Sequence, residues 1–132
     1  MSGVVDLGDL CRQMTPHLAE EVYVYCTFSD FRLPGGLEPI CTFREAEGLT
    51  AIVGRREAEA AALPYVFPCR LITLTVHSSL DAVGFLARIT DRLSRAGIAC
   101  NAVAAFHHDH LFVPEARAEE TLQLLRELAS EQ

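Results

Sequence analysis

Between residues 21 and 28 apolar and polar positions alternate, with Val22, Val24, Cys26 and Phe28 on one side and Tyr23, Tyr25 and Thr27 on the other. That period of two predicts a strand with one face turned to a core. Ahead of it, Leu7, Leu10, Cys11 and Met14 recur at i, i+3, i+4 and i+7, which predicts a short helix capped by Asp6 and ended by Thr15-Pro16. Behind it, residues 29–39 carry Pro34-Gly35-Gly36 and read as a loop. Two strand-like runs, 40–44 and 49–53, are joined by Glu45-Ala46-Glu47-Gly48, which predicts a hairpin with Gly48 free to take a positive φ. An Ala-Glu-Ala repeat makes 55–63 helical until Pro64.

A second series of elements opens after 64–68. Residues 70–77 alternate, Ile72, Leu74 and Val76 against Thr73, Thr75 and His77, so a strand with one buried face is predicted. Ser78 or Ser79 can cap a helix over 80–95, whose apolar stripe is Ala82, Leu86, Ile89, Leu93 and Ala96. Asp91 and Arg95 lie off that stripe at i, i+4. Gly97 ends the helix, 98–106 is a strand, 107–109 a turn and 110–113 a short strand. Pro114 then opens a helix over 115–130 with Leu122, Leu125 and Leu128 inward.

The first series reads α-β-β-β-α and the second β-α-β-β-α. The second lacks only the final strand of a ferredoxin-like β-α-β-β-α-β plan. The first follows the same plan without its first strand and helix, with 65–69 as a last strand. The expected class is therefore α+β, with two ferredoxin-like βαββαβ-type halves, an incomplete one over 1–65 and a second over 66–132. Each has an antiparallel sheet with helices on one face. Such small one-sided sheets need a partner surface, which predicts an internal interface and a homodimer.

Composition narrows the function classes. The net charge is -7, and all eleven basic residues are Arg, scattered along the chain, so nucleic acid is not expected as a partner. Five cysteines, odd in number and without a C-x-x-C pair, read as reduced thiols of a cytoplasmic protein. No run approaches the roughly 20 apolar residues of a membrane span, and neither a leader nor a membrane partner is expected.

Two segments carry candidate chemistry. In Phe106-His107-His108-Asp109-His110, continued as a strand, His108 and His110 share one face and His107 and Asp109 the other. A metal held there with His77 would make a metal-dependent enzyme, but the spacing is one ligand short for an H-x-H-x-D-H site because position 105 is Ala105. A polar turn capped by Asp109 is the plainer alternative. In Thr75-Val76-His77-Ser78-Ser79-Leu80-Asp81-Ala82-Val83-Gly84-Phe85 a strand runs into a helix start, whose free N–H groups and dipole attract a carboxylate. In a ferredoxin-like sheet the strand ending at His77 neighbours the one carrying Asp109. Donors and an acid could then clamp a zwitterion in one groove.

Those two segments, with Phe43-Arg44-Glu45-Ala46-Glu47-Gly48-Leu49-Thr50, resemble a bacterial family of stand-alone tandem ACT-domain proteins related to the regulatory domains of aspartate kinase. The second half also resembles the ACT units of cytosolic arginine sensors. There an F-x-x-D strand supplies an acid to the ligand, a pattern matched by Phe106 and Asp109, and a helix-start Gly is matched by Gly84. The acid expected near that Gly is not matched, since Ala82 stands there and Asp81 one place away.

The resemblance implies a sensor or regulator that binds a small molecule, an amino acid, at an ACT–ACT interface. No catalysis, metal or cofactor is expected. The implied ligand-binding residues are His77, Ser78, Ser79, Val83, Gly84, Phe85, Asn101, Phe106, His107, His108, Asp109 and His110. A ligand-independent interaction module is the competing expectation.

Overall fold

The computed structural model describes residues 6–76 and 79–131. Its elements run α1 (Leu7–Gln13), β1 (Thr15–Phe28), β2 (Cys41–Arg44), β3 (Leu49–Gly54), α2 (Arg55–Ala60), β4 (Val66–Thr75), α3 (Phe85–Arg95), β5 (Asn101–Ala104), β6 (Asp109–Pro114), a single 3-10 turn Glu115–Arg117 and α4 (Ala118–Ser130). Asp6 caps α1 as expected, its Oδ1 accepting from the Asp9 N–H at 2.9 Å. The strands form one antiparallel sheet in the order β2-β3-β1-β4-β6-β5.

The chain separates into two compact units, Met1–Ala19 with Arg70–Gln132, and Glu20–Cys69. The long strands β1 and β4 each contribute to both. In the second unit, strand order is β2-β3-β1-β4, the ferredoxin-like arrangement, so the plan's first strand is present as β1 and only its first helix is missing. The irregular segment 29–40 takes that helix's place. In the first unit, the order β1-β4-β6-β5 repeats the plan, and the final strand missing from the C-terminal sequence is supplied by the start of β1.

Two strand predictions are corrected here. The first strand begins at Thr15 rather than at residue 21, because the chain passes directly from the end of α1 into extended backbone at Met14. The expected strands at 65–69 and 70–77 are one continuous β4. Pro68 is accommodated because Phe67, at φ 58, kinks the strand just before it, and the missing N–H falls at that irregularity.

The units differ in core. In the first, Leu10, Ile72, Leu74, Ile89, Leu93, Leu111, Leu125 and Leu128 are large and fully buried between sheet and helices α1, α3 and α4. The second buries smaller groups, Val24, Cys26, Ala51, Val53 and Ala58, with Phe28, Leu37, Leu63 and Tyr65 packed around them. At roughly 25 cal/mol per Å² of apolar surface removed from water, the first unit gains far more from burial.

Each unit contains a hairpin of the same register. Arg44 pairs with Leu49 in one, Ala104 with Asp109 in the other, and the connections 45–48 and 105–108 are equal in length. The two hairpins therefore place Leu49 and Asp109, Gly48 and His108, and Arg44 and Ala104 at matching positions.

Candidate functional site

The second half of the chain makes its turn from sheet to helix later than expected. Helix α3 begins at Phe85, not at residue 80, and its N-cap is Gly84 at φ +91, a left-handed conformation that glycine adopts without a Cβ penalty. Ser79 caps no helix. Its Oγ accepts from the Asp81 N–H at 3.1 Å and its carbonyl from the Ala82 N–H at 3.0 Å, so 79–82 is a tight turn. The stripe Ala82, Leu86, Ile89, Leu93, Ala96 faces the core as expected, joined by Phe85, and Asp91 pairs with Arg95.

Between this turn and the β5–β6 hairpin lies a pocket of about 130 Å³, lined by Ser79, Leu80, Ala82, Gly84, Phe85, Leu86, Ala87, Ala104 and Asp109. Three features give it chemical character. Residues 85–87 form the first turn of α3, where backbone N–H groups lack intrahelical acceptors and the dipole favours an anion. Asp109, only 7% exposed, opens β6 on the face that carries Leu111 and Val113 into the core. Ala82, Gly84, Ala87 and Ala104 keep the cavity open, since none extends a long side chain into it. Hydrogen-bond donors and a carboxylate thus meet in one small cavity whose lining is as polar as it is apolar, a combination that suits a ligand bearing both charges.

The pocket collects four of the twelve expected residues, Ser79, Gly84, Phe85 and Asp109. His77 and Ser78 lie outside the described residues. Val83 is 85% exposed and Phe106 72% exposed at the rim side of the same turn and hairpin, with the Phe106 ring edge-on to His107, centroids 4.9 Å apart. His107 is exposed, and Asn101 sits exposed at the far end of β5 opposite Phe112.

His108 and His110 are not among the lining residues. His108 places Nδ1 3.4 Å from the Val76 carbonyl, a contact it makes as the donor. His110 Nδ1 lies 3.0 Å from Thr73 Oγ1. Burial, then the neighbouring His108, holds the His110 imidazole below its ordinary pKa, with Asp109 pulling the other way. Among the described residues no group of three or more His, Cys, Asp or Glu comes together to hold a metal. Residues Leu80, Ala82, Leu86, Ala87 and Ala104 escaped sequence reasoning. Only the pairing of Ala104 with Asp109 in a hairpin register could have pointed to one of them.

The matching hairpin of the other unit is built differently. Leu49 stands at the position of Asp109 and is buried. The Arg44 guanidinium lies over the Phe31 ring, 5.0 Å from its centroid. Gly48 takes a positive φ, 159, as expected for this connection, and packs so tightly on the end of β1 that a Cβ there would fall 2.8 Å from the Phe28 carbonyl oxygen, so close approach adds to conformation in requiring glycine.

Among the described residues no helix is long and apolar enough to cross a membrane. No curated protein matches the chain. Among solved structures, it is similar to a Vibrio cholerae protein of unknown function, described as a possible transport protein, at 42% identity, TM-score 0.82, over 93% of this chain and 95% of that one. A protein from Agrobacterium tumefaciens shares the fold at 19% identity and TM-score 0.74, covering 88% and 89%. The regulatory subunit of aspartate kinase from Thermus flavus does so at 9% identity and TM-score 0.66, covering 87% and 97%. Two family models, each described as an ACT domain, match residues 2–70 and 66–127, meeting on β4. The chain belongs to the ACT-domain family.

Proposed function

We propose that the chain is a regulatory binding protein whose effector, an amino acid, occupies the pocket between the 79–85 turn and Asp109. The observation that carries this reading is the buried Asp109 carboxylate across from the first turn of α3. An ammonium group placed at Asp109 and a carboxylate at the 85–87 N–H groups would satisfy both charges of a zwitterion. The likeness to an aspartate kinase regulatory subunit and the ACT models support a ligand-binding regulatory role in general.

Leu80 in the pocket lining, Val83 on the same turn and Phe106 on the same hairpin are exposed by 64%, 85% and 72% and form the apolar rim of this reading. A cavity of about 130 Å³ is too small for the larger amino acids, whose side chains would extend outside it. On this reading a second copy of the chain covers that rim, so that ligand and homodimer stabilise one another through an ACT–ACT interface. The chain acts by binding rather than catalysis, because Asp109 is the one ionisable side chain among the lining residues and acid–base chemistry calls for a positioned partner. Five unpaired thiols, three of them buried, fit the reducing cytoplasm.

A thermal-shift screen of the common amino acids at millimolar concentration tests this. At least one should raise the melting temperature of the wild type and not of Asp109→Asn. No stabilisation by any of them would reject the amino-acid reading; equal stabilisation of both proteins would reject the site.

A further inference from the structure

We propose that the unit formed by Glu20–Cys69 carries a second binding groove, separate from the Asp109 pocket, for a small uncharged molecule with a flat apolar body. The groove, about 360 Å³, lies beside the end of β1 and the start of β4, lined by Tyr25, Cys26, Thr27, Thr50, Pro64, Tyr65 and Val66. It is wider than the Asp109 pocket and within the range of small-molecule sites.

Its shape has an identifiable backbone origin. Ala62 and Phe67, both non-glycine residues, hold positive φ of 54 and 58 on either side of the 63–66 segment. These conformations are uncommon for residues with a Cβ and persist only where surrounding structure enforces them. Phe67 in this conformation sets its ring edge-on to Tyr25, with centroids 5.7 Å apart at 75°, which fixes one aromatic wall. Tyr65 donates its hydroxyl to Glu59 Oε2 at 3.0 Å, which fixes the other. Val66 remains 67% exposed at the mouth.

The lining decides the ligand class. In a chain of net charge -7, the residues that line this groove include no Asp, Glu, Arg or His, and the two carboxylates that reach them are already engaged, Glu59 by the Tyr65 hydroxyl and Glu45 by the Thr50 hydroxyl. A charged ligand would lose hydration there without a counter-charge. Two tyrosine walls favour a flat body, and Thr27, paired with Thr50 across β1 and β3, offers its hydroxyl at one edge, while the Thr50 hydroxyl donates to Glu45 and keeps only its acceptor capacity for a ligand. Zwitterionic amino acids belong in the other unit's pocket.

Indole serves as the probe, titrated into the ¹⁵N-labelled chain and followed by amide shifts. Saturable shifts centred on residues 25–27, 50 and 64–66 are expected. Val66→Trp, at an exposed position, should fill the mouth and weaken binding at least about tenfold, and Thr27→Val about two- to tenfold. Asp109→Asn should leave indole binding unchanged, which separates this groove from the amino-acid site. The proposal is overturned if shifts do not saturate, map to 79–87 and 104–109, or are the same in Val66→Trp and Thr27→Val as in the wild type.

Discussion

The hairpins 41–54 and 101–114 share length, register and connection, yet one is shut and the other open. At Arg44↔Leu49 the inner position is apolar, the arginine is stacked on Phe31 and the glycine connection is pressed against Phe28. At Ala104↔Asp109 the inner position is a carboxylate, the facing residue is a methyl group, and an imidazole stands where the glycine would be. The same register and connection length thus leave binding capacity to a few side chains. An ACT-like hairpin marks where a site can exist and does not make one.

Exchanging residues between the two hairpins is the direct way to break this comparison. The largest effect is expected from Leu111→Ala, which puts the residue of Ala51 into a fully buried site of the larger core. A loss of about 2–5 kcal/mol in urea unfolding is predicted. The reverse exchange, Ala51→Leu, overfills the smaller core and should cost about 1–3 kcal/mol.

Next comes Gly48→Ala, whose new Cβ meets backbone at 2.8 Å and should destabilise by about 1–3 kcal/mol. His108→Ala at the matching position loses one long hydrogen bond and should cost no more than about 1 kcal/mol. Comparable losses in the two variants would show that the connections are not differently packed. Arg44→Ala should cost about 0.5–1 kcal/mol through the lost contact with Phe31.

A pH titration sharpens the contrast further, since the 41–54 hairpin carries no imidazole. The folded state holds His110 below the ordinary value of 6.5, so the unfolded chain binds more protons as pH falls. The stability this group contributes is complete above pH 6.5 and declines as pH falls from there through its folded pKa. His110→Gln should flatten that decline in unfolding measured across the range. An unchanged slope would remove His110 as its source.

Much of the architecture was legible because period-two alternation in 22–28 and 72–76 and the stripe of α3 are imposed by burial on one face. What escaped were features that no local pattern encodes. The continuity of β4 was hidden by Pro68, which reads as a break until Phe67 is seen to absorb it. That the N-terminal end of β1 completes the distant unit depends on strand order, which alternation leaves undetermined. The start of α3 was misplaced because Ser78 and Ser79 look like caps, whereas the left-handed Gly84 sets the boundary.

In the pocket, chemically distinctive Ser79, Gly84 and Asp109 could be singled out from sequence. Ala82, Ala87 and Ala104 could not, because their contribution is the space they leave.

Hydrogen–deuterium exchange, resolved by peptide and run with and without a millimolar mixture of the common amino acids, tests the open-and-shut contrast most directly. Ligand should slow exchange in segments 79–87 and 104–110 and leave 28–31 and 44–49 unchanged, in the wild type but not in Asp109→Asn. Protection of the 44–49 hairpin, or protection of 79–87 and 104–110 that survives in Asp109→Asn, would contradict it.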